Sequence, residues 1–471
     1  MRLVMTGFCL VALCSLVVAQ DKPDRVAELE KRVDQLEKDN AELRRRIEAL
    51  EAKAGQQPRA GTQGVLWTLA LKSDQKGSAH VADLDGDGKL EIVFGTYFNE
   101  EHLFCVDAAT GAIKWKHKSD GGPLDASVAI ADVDGDGKLD VLSGDSAYGK
   151  LYCLSGDGKL KGIFQLPSGT DSPPAVADLD GDGAIEVIAG SMWQRDGIGA
   201  VTCFNGKTRE KIWERRIKGC VQSEPVLVDL NGDKVLDVIV TSWRGDRKIH
   251  ALNGKDGEPL WEFETPGNDK SMGMYHGVAI GGQGDALTIY AATCQGDVYA
   301  LDAKGKARWH RHVDDYLFAP PTLADLDGDG KDELIFGGRK LYVVRAADGT
   351  DVWGPTVVTH ALDRGAVVAD ADGDGKPDVI YFDGVKVLAR DGTSGRVVFT
   401  FDTLLKGDIS SAPIVADFDG DGALDLFFVC GTGTSENRGR DNAGTAYAVK
   451  LKGKGEGWRT FRGNLRRTGR Q

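Results

Sequence analysis

An all-β fold, an eight-bladed β-propeller set behind an N-terminal α-helical coiled coil, is what three features of the 471-residue sequence predict. A nine-residue acidic loop recurs seven times after residue 64. Successive copies start 49, 46, 51, 96, 45 and 47 residues apart, and the gap of 96 is two periods of 48. Each period holds four short apolar runs broken by turns, as in Pro174–Ala177, Glu186–Ser191, Val201–Phe204 and Lys211–Glu214. Four short strands per period of about 45 residues is the pattern of a propeller blade.

In chain order, residues 1–19 read as a secretory signal: Arg2, an apolar run from Leu3 to Leu16, and Val17-Val18-Ala19 as the cleavage site. Phe8 and Leu13, not small residues, precede Cys9 and Cys14, so a lipid-modified cysteine is not expected. The chain is therefore expected to be secreted, periplasmic or at the cell surface, with no transmembrane span after cleavage. Residues 23–54 follow a heptad, with Val26, Val33, Asn40 and Ile47 at a and Leu29, Leu36, Leu43 and Leu50 at d. β-Branched a residues with leucine at d favour a parallel dimer over a trimer, and Asn40 fixes the register. In a parallel pair, Arg25 meets Glu30, Arg32 meets Glu37, Asp39 meets Arg44 and Arg46 meets Glu51, all opposite in sign. Residues 55–64 form a flexible linker by composition, and residues 65–471 are the propeller.

The recurring loop is first seen as Asp83, Asp85, Asp87 and Glu91 at positions 1, 3, 5 and 9, with Lys89 at position 7. The other copies are Asp132, Asp134, Asp136, Lys138 and Asp140; Asp178, Asp180, Asp182, Ala184 and Glu186; and Asp229, Asn231, Asp233, Val235 and Asp237. After the long gap come Asp325, Asp327, Asp329, Lys331 and Glu333; Asp370, Asp372, Asp374, Lys376 and Asp378; and Asp417, Asp419, Asp421, Ala423 and Asp425. Oxygens from alternate residues converge on one hard cation while a sharp turn returns the position 9 carboxylate, the ligand logic of a calcium loop. Position 7 varies freely, as it does when only its backbone carbonyl is a ligand. Without an ion, such clustered carboxylates repel one another. Up to seven calcium ions are expected, and their charge would cancel the formal net of −14. The copy at Asp229 is expected to be the weakest, because it has Asn231, and Lys234 in place of a glycine able to take positive φ.

The gap of 96 hides a fifth unit, Gly277 to Asp285 followed by Leu287-Thr-Ile-Tyr-Ala-Ala, whose loop has lost its ligands. Val65-Leu66-Trp67 to Leu71 resembles a fourth strand without a unit of its own, and is expected to complete the blade begun at residue 410. Cys105, Cys153 and Cys203 hold one repeat position on neighbouring blades about 10 Å apart, too far for disulfides, and read as buried thiols. Pairing among Cys220, Cys294 and Cys430 is open. The acids sit in the loops with no basic stripe to offset them, which argues against a nucleic-acid partner.

At these loops the chain resembles the FG-GAP family, the propeller repeat of integrin α heads and of many secreted bacterial proteins, over residues 65 to about 450. The resemblance implies calcium at the same acidic positions. It stops short of integrin-like recognition, since integrin heads have seven blades and the GAP triplet is replaced here by Gly95-Thr96, Gly190-Ser191 or Gly337-Gly338. The third and fourth strands are similar to the quinoprotein propellers, whose pattern A-x-D-x-x-x-G-x-x-x-W is approached by Val106 to Trp115, with Trp213, Trp261, Trp309 and Trp353 in similar places. In that family these tryptophans lock adjacent blades. The adjacent cysteine pair and the C-x-x-C-H haem site of that family are absent, so quinone dehydrogenase activity is not expected. The tail from Trp458 to Gly469 also resembles quinoprotein segments, and its arginines are expected to strap the acidic ring.

The acidic loops join first to second strands and share one face. The opposite face collects Tyr97, Phe98, Tyr148, Trp193, Trp243, Tyr275, His276 and Phe318, with Asp125, Asp171, Glu224 and Arg364, and is the expected binding surface for a protein or glycan. No H-E-x-x-H, G-x-S-x-G or local Cys/His arrangement occurs. The expected function is a secreted calcium-binding propeller that acts as an adhesion or interaction module on a coiled-coil oligomer. The alternative is a polysaccharide-active enzyme resembling the eight-bladed calcium propellers of rhamnogalacturonan lyases, with Arg364 or His276 acting on a uronate.

Overall fold

The computed structural model describes residues 64–120, 122–267, 271–432 and 442–470, with Arg32 and Gln35. The signal, coiled-coil and linker assignments lie outside these residues, apart from those two and Gly64. Contacts divide the chain into a unit over Met1–Gln57 and a second over Pro58–Gln471, and the second holds the fold. No helix among the described residues is long and apolar enough to cross a membrane.

Eight four-stranded antiparallel sheets follow one another along the chain. Blades 1 to 7 occupy residues 80–118, 129–165, 175–218, 226–264, 279–312, 322–357 and 367–402, each with its strands in sequence order. Blade 8 takes three strands from residues 414–450, and its outermost strand is Val65–Leu71, paired antiparallel with Ala443–Lys450. Joining first strand to last closes the ring, and each blade keeps one short outermost strand as its sheet edge.

Position in the blade explains each strand's sequence. The second strands, such as Glu91–Gly95 and Asp237–Thr241, are buried along their whole length, because neighbouring sheets cover both faces. They therefore read as continuous apolar runs instead of alternating. Outer strands such as Ile113–Lys118 face water and carry the charged residues. The core is a set of layers between blades: Val93, Leu103 and Cys105 of blade 1 pack with Val141, Tyr152 and Leu154 of blade 2. All six described cysteines, including Cys220, Cys294 and Cys430, are free and buried.

The recurring tryptophan fastens six of the eight blades to the next. The indole N–H groups of Trp67, Trp115, Trp213, Trp261, Trp309 and Trp353 donate to Ala108, Gly156, Gly254, Ala303, Ala346 and Gly392 of the following blade at 2.7–3.0 Å. The ring also lies flat on the neighbour's turn glycine. A β-carbon on Gly158, which has a φ of 81°, would come within 2.6 Å of the Trp115 ring, so glycine there serves both the turn and the contact.

The tail does strap the ring, from the inside, and its arginines bind chiefly backbone carbonyls there, with Arg470 on Asp332. Carbonyls of Trp458, Arg459, Leu465, Arg466, Thr468 and Gly469 accept from Val415, Val81, Val176, Leu227, Ile280 and Leu323 at 2.9–3.1 Å. Those six donors lie on the innermost strands of six different blades. Arg467, fully buried, donates to the carbonyls of Pro174, Phe461 and Val128 and to the Thr460 hydroxyl. Arg462 donates to the carbonyls of Pro321 and Val278, and its Nε lies 2.8 Å from the buried carboxylate of Glu224. The arginines thus satisfy carbonyls just ahead of four innermost strands and one acid, because backbone groups turned toward the axis need a partner.

Candidate functional site

Each acidic loop is shaped by its own first aspartate. Asp83 accepts from the backbone N–H groups of Gly86, Asp87 and Gly88 at 2.8–3.1 Å, folding the loop around its carboxylate. The position 9 acid then spends one oxygen on the backbone N–H of position 2: Glu91 on Leu84, Asp140 on Val133, Glu186 on Leu179, Asp237 on Leu230, Glu333 on Leu326, Asp378 on Ala371 and Asp425 on Phe418. This bond recurs in all seven loops and orients a buried carboxylate. The carboxylates of Asp83, Asp85 and Glu91 each place one oxygen within 4.8 Å of the others, as do Asp325, Asp327 and Glu333. Asp132, Asp134 and Asp136, Asp178, Asp180 and Asp182, and Asp370, Asp372 and Asp374 do the same. Asp425 Oδ1 is buried with no hydrogen-bond partner. Burial, reinforced by the neighbouring loop carboxylates, pushes Asp237, Asp378 and Asp425 up to about 6.

Three loops also receive an ammonium group that loop-based reasoning missed. Lys114 reaches Asp85 at 2.7 Å and Glu91 at 2.6 Å; Lys161 reaches Asp134, Asp136 and Asp140; Lys450 reaches Asp419 and Asp421. Lys114 and Lys161 lie on the outermost strands of their sheets and Lys450 ends the third strand of blade 8, 21 to 31 residues from their partners. In blade 5, where a short 3₁₀ turn over Gly284–Ala286 replaces the acidic loop, Arg308 donates to the carbonyls of Asp285 and Leu287 instead. In the Asp229 loop, Lys234 takes a φ of 72° without being glycine, the strain anticipated from sequence.

On the opposite face, five aromatic rings form one continuous run. Trp193 stacks on Trp243 at 6.2 Å and 21°, Trp243 meets Tyr275 edge-on at 5.2 Å, Tyr275 meets Phe318 at 4.6 Å, and Phe318 stacks on Tyr316 at 5.9 Å. His276 packs edge-on against both Tyr275 and Phe318. Guanidinium groups cap two rings, Arg244 over Trp243 at 4.3 Å and Arg364 over Tyr275 at 5.7 Å. At the Trp193 end lies a cavity of about 980 Å³ lined by Pro167, Ser168, Trp193, Gln194, Arg195, Asp196, Gly197 and Arg244. Tyr148, 58% exposed, stands on blade 2. Tyr97 and Phe98 pack edge-on against each other on blade 1, with Lys76 over the Tyr97 ring.

The inner end of the run is acidic. Burial and the adjacent Asp171 charge hold the Asp125 carboxyl well above the usual range, and burial raises Asp171 as well. Tyr275 Oη donates to Asp171 at 3.3 Å, and Gln222 donates to the same oxygen. Burial favours the neutral form of Glu224, but His276 and Arg462 more than reverse it and hold the carboxylate down at about 2. His276 is itself buried, with Nε2 2.9 Å from the Asp363 carbonyl and Nδ1 3.6 Å from Glu224. It is a fixed packing residue, with no face presented to a substrate. Asp125, Asp171, Gln222, Tyr275, Phe318 and Asp363 all stand four residues before an innermost strand, a fixed offset by which the sequence marks the axial ring.

Comparison with known proteins agrees with this architecture. Residues 110–189 match the FG-GAP-like repeat, and residues 181–319 match the outer membrane protein assembly factor BamB family. Among curated proteins, the chain is 29% identical over 190 residues to BamB of Nitrosomonas eutropha, covering 36% of this chain and 40% of that one. It is 25% identical over 198 residues to protein FAM234B of Gallus gallus, covering 36% and 32%. The chain thus spans less than half the length of the curated relatives it matches. Solved structures share the fold at low identity. The quinohemoprotein alcohol dehydrogenase ADHIIG of Pseudomonas putida has a TM-score of 0.58 at 13% identity, covering 83% of this chain and 77% of that one. BamB of Moraxella catarrhalis has a TM-score of 0.51 at 15% identity, covering 80% and 98%.

Proposed function

We propose that this chain, a β-propeller of FG-GAP and PQQ type, is a secreted interaction module whose aromatic face captures a ligand and whose acidic loops hold calcium. The observation that carries the ligand reading is the run from Trp193 through Trp243 and Tyr275 to Phe318, aromatic rings in contact across neighbouring blades on one face. Rigid rings of this kind give contact area at small entropic cost, and the ring of blades fixes their spacing. An N-terminal parallel coiled coil would present two such faces together and raise avidity without any new contact. In a glycan and protein array probed with the full chain in calcium, replacing Trp193 and Trp243 with alanine should reduce capture of bound ligands at least tenfold. Capture that is unchanged by the double substitution counts against the face.

The loop residues fit calcium by their chemistry. All donors are oxygens, the first aspartate is already oriented by backbone N–H groups, and each position 9 acid keeps one oxygen free of its bond to position 2. When bound, the ion would neutralise each cluster and cross-link the first two strands of a blade. The lysines divide the loops into two groups. At Asp83 and Asp132, Lys114 and Lys161 stand between the loop carboxylates, as Lys450 does at Asp417, so metal must displace an ammonium group there. Replacing Lys114 or Lys161 with methionine should tighten calcium binding at its loop roughly three- to tenfold, as read by calorimetric titration. Equal affinities in the parent and both variants would remove the competition.

A further inference from the structure

The geometry points to the Trp193 cavity as a site for a carboxylate-bearing saccharide, a hexuronate unit stacked on the exposed indole and held by two arginines. This deepens the proposed binding face and rests on it. Trp193 is 40% exposed while its other side stacks on Trp243, so one flat aromatic face remains open to a ring. Sugar rings offer such a face a patch of C–H groups and carry hydroxyls around it. Ser168 and Gln194 at the cavity edge supply the matching polar groups.

Charge selects the acid sugar over the neutral one. The chain has a net charge of −14, yet Arg195 and Arg244 line this cavity and form no ion pair among the described residues. The one cavity carboxylate, Asp196, is taken up by Arg216. Two guanidinium groups are therefore left for a ligand anion, and the planar guanidinium fork matches a carboxylate bidentately. A single-stranded nucleic acid would need a basic track along its backbone. Here the two arginines stand together at one end, and the run leads inward to the buried pair Asp171 and Asp125 instead of along a basic track. A saccharide with a carboxylate on one ring and neutral hydroxyls elsewhere suits both ends.

The test is calorimetric titration of the full chain, at constant calcium, with galacturonate and mannuronate tetrasaccharides and with the same tetrasaccharides after carboxyl reduction. A thymidine oligonucleotide and a glutamate-rich peptide serve as other anions. We expect one uronate to bind at least tenfold more tightly than its reduced form. Arg195→Gln with Arg244→Gln should cancel that preference, and Trp193→Ala should weaken both forms, with melting temperatures unchanged. Equal binding of acidic and reduced sugars, preference for the oligonucleotide or peptide, indifference to the arginine pair, or no binding of any probe overturns the inference. If the array still shows capture that depends on Trp193 and Trp243 but by another ligand, the inference fails and the binding face stands. If array capture ignores both tryptophans, the binding face itself fails.

Discussion

Arg462→Ala is expected to destabilise the ring by about 3–5 kcal/mol, because it strands a buried carboxylate. Glu224 is fully buried, and its charge is balanced by Arg462 at 2.8 Å and by His276. Removing the guanidinium also leaves the carbonyls of Pro321 and Val278, just ahead of blades 6 and 5, without that donor. The sign of the pH dependence follows from the direction of the shift. Glu224 is held below its ordinary range, at about 2, so its contribution is complete above the usual glutamate pKa and is lost as pH falls from there through about 2. The alanine variant should therefore differ most from the parent near neutral pH and least in acid. Urea unfolding at both ends of that window reads the effect directly. A deficit below about 1 kcal/mol near neutrality would mean that the tail decorates the ring without holding it.

Much of this architecture is legible in the sequence because a repeat states it many times over. Seven loops in phase give the blade period, and the strand at Val65–Leu71 stands out because it has no loop before it; its pairing with Ala443–Lys450 completes blade 8. The tryptophan of the outer strand was readable for the same reason, and the structure adds what it sits on, a turn glycine and a carbonyl of the next blade. What the sequence hid are contacts made across the axis or across a sheet. The tail arginines could not be placed from their neighbours, since their partners, such as Pro174 and Val278, lie far away in the chain. Lys114 and Lys161 looked like ordinary surface residues, because nothing local says that their strand passes beside the acidic loop. On the opposite face Trp193 and Trp243 were both singled out, while Arg195 and Arg244, which give that surface its sign, were missed because charged residues in loops carry no pattern.

The largest effect is expected from removing calcium. A ligand that binds only the folded state stabilises it by about 2.7 kcal/mol at one hundred times its dissociation constant, and several loops add their contributions. The effect should concentrate at the first and second strands of each blade, where the innermost strand is only three residues long, as in Ala175–Ala177 and Ile414–Ala416. Such strands are held on one side by the second strand and on the other by single bonds to the tail, so the loop that joins them to the second strand is their remaining anchor. Blade 5, which has no acidic loop, should be indifferent to the ion. Hydrogen exchange with and without chelator should show the loss of protection at Asp178–Glu186 and Asp370–Asp378 but not at Gly282–Leu287.

Differential scanning calorimetry of the full chain in millimolar calcium, and again in excess EGTA with magnesium present, tests the account most directly. The melting temperature is expected to fall by roughly 10 °C or more on chelation and to return when calcium is restored. Coincident melting curves in the two buffers would contradict calcium as the ion that holds the ring together.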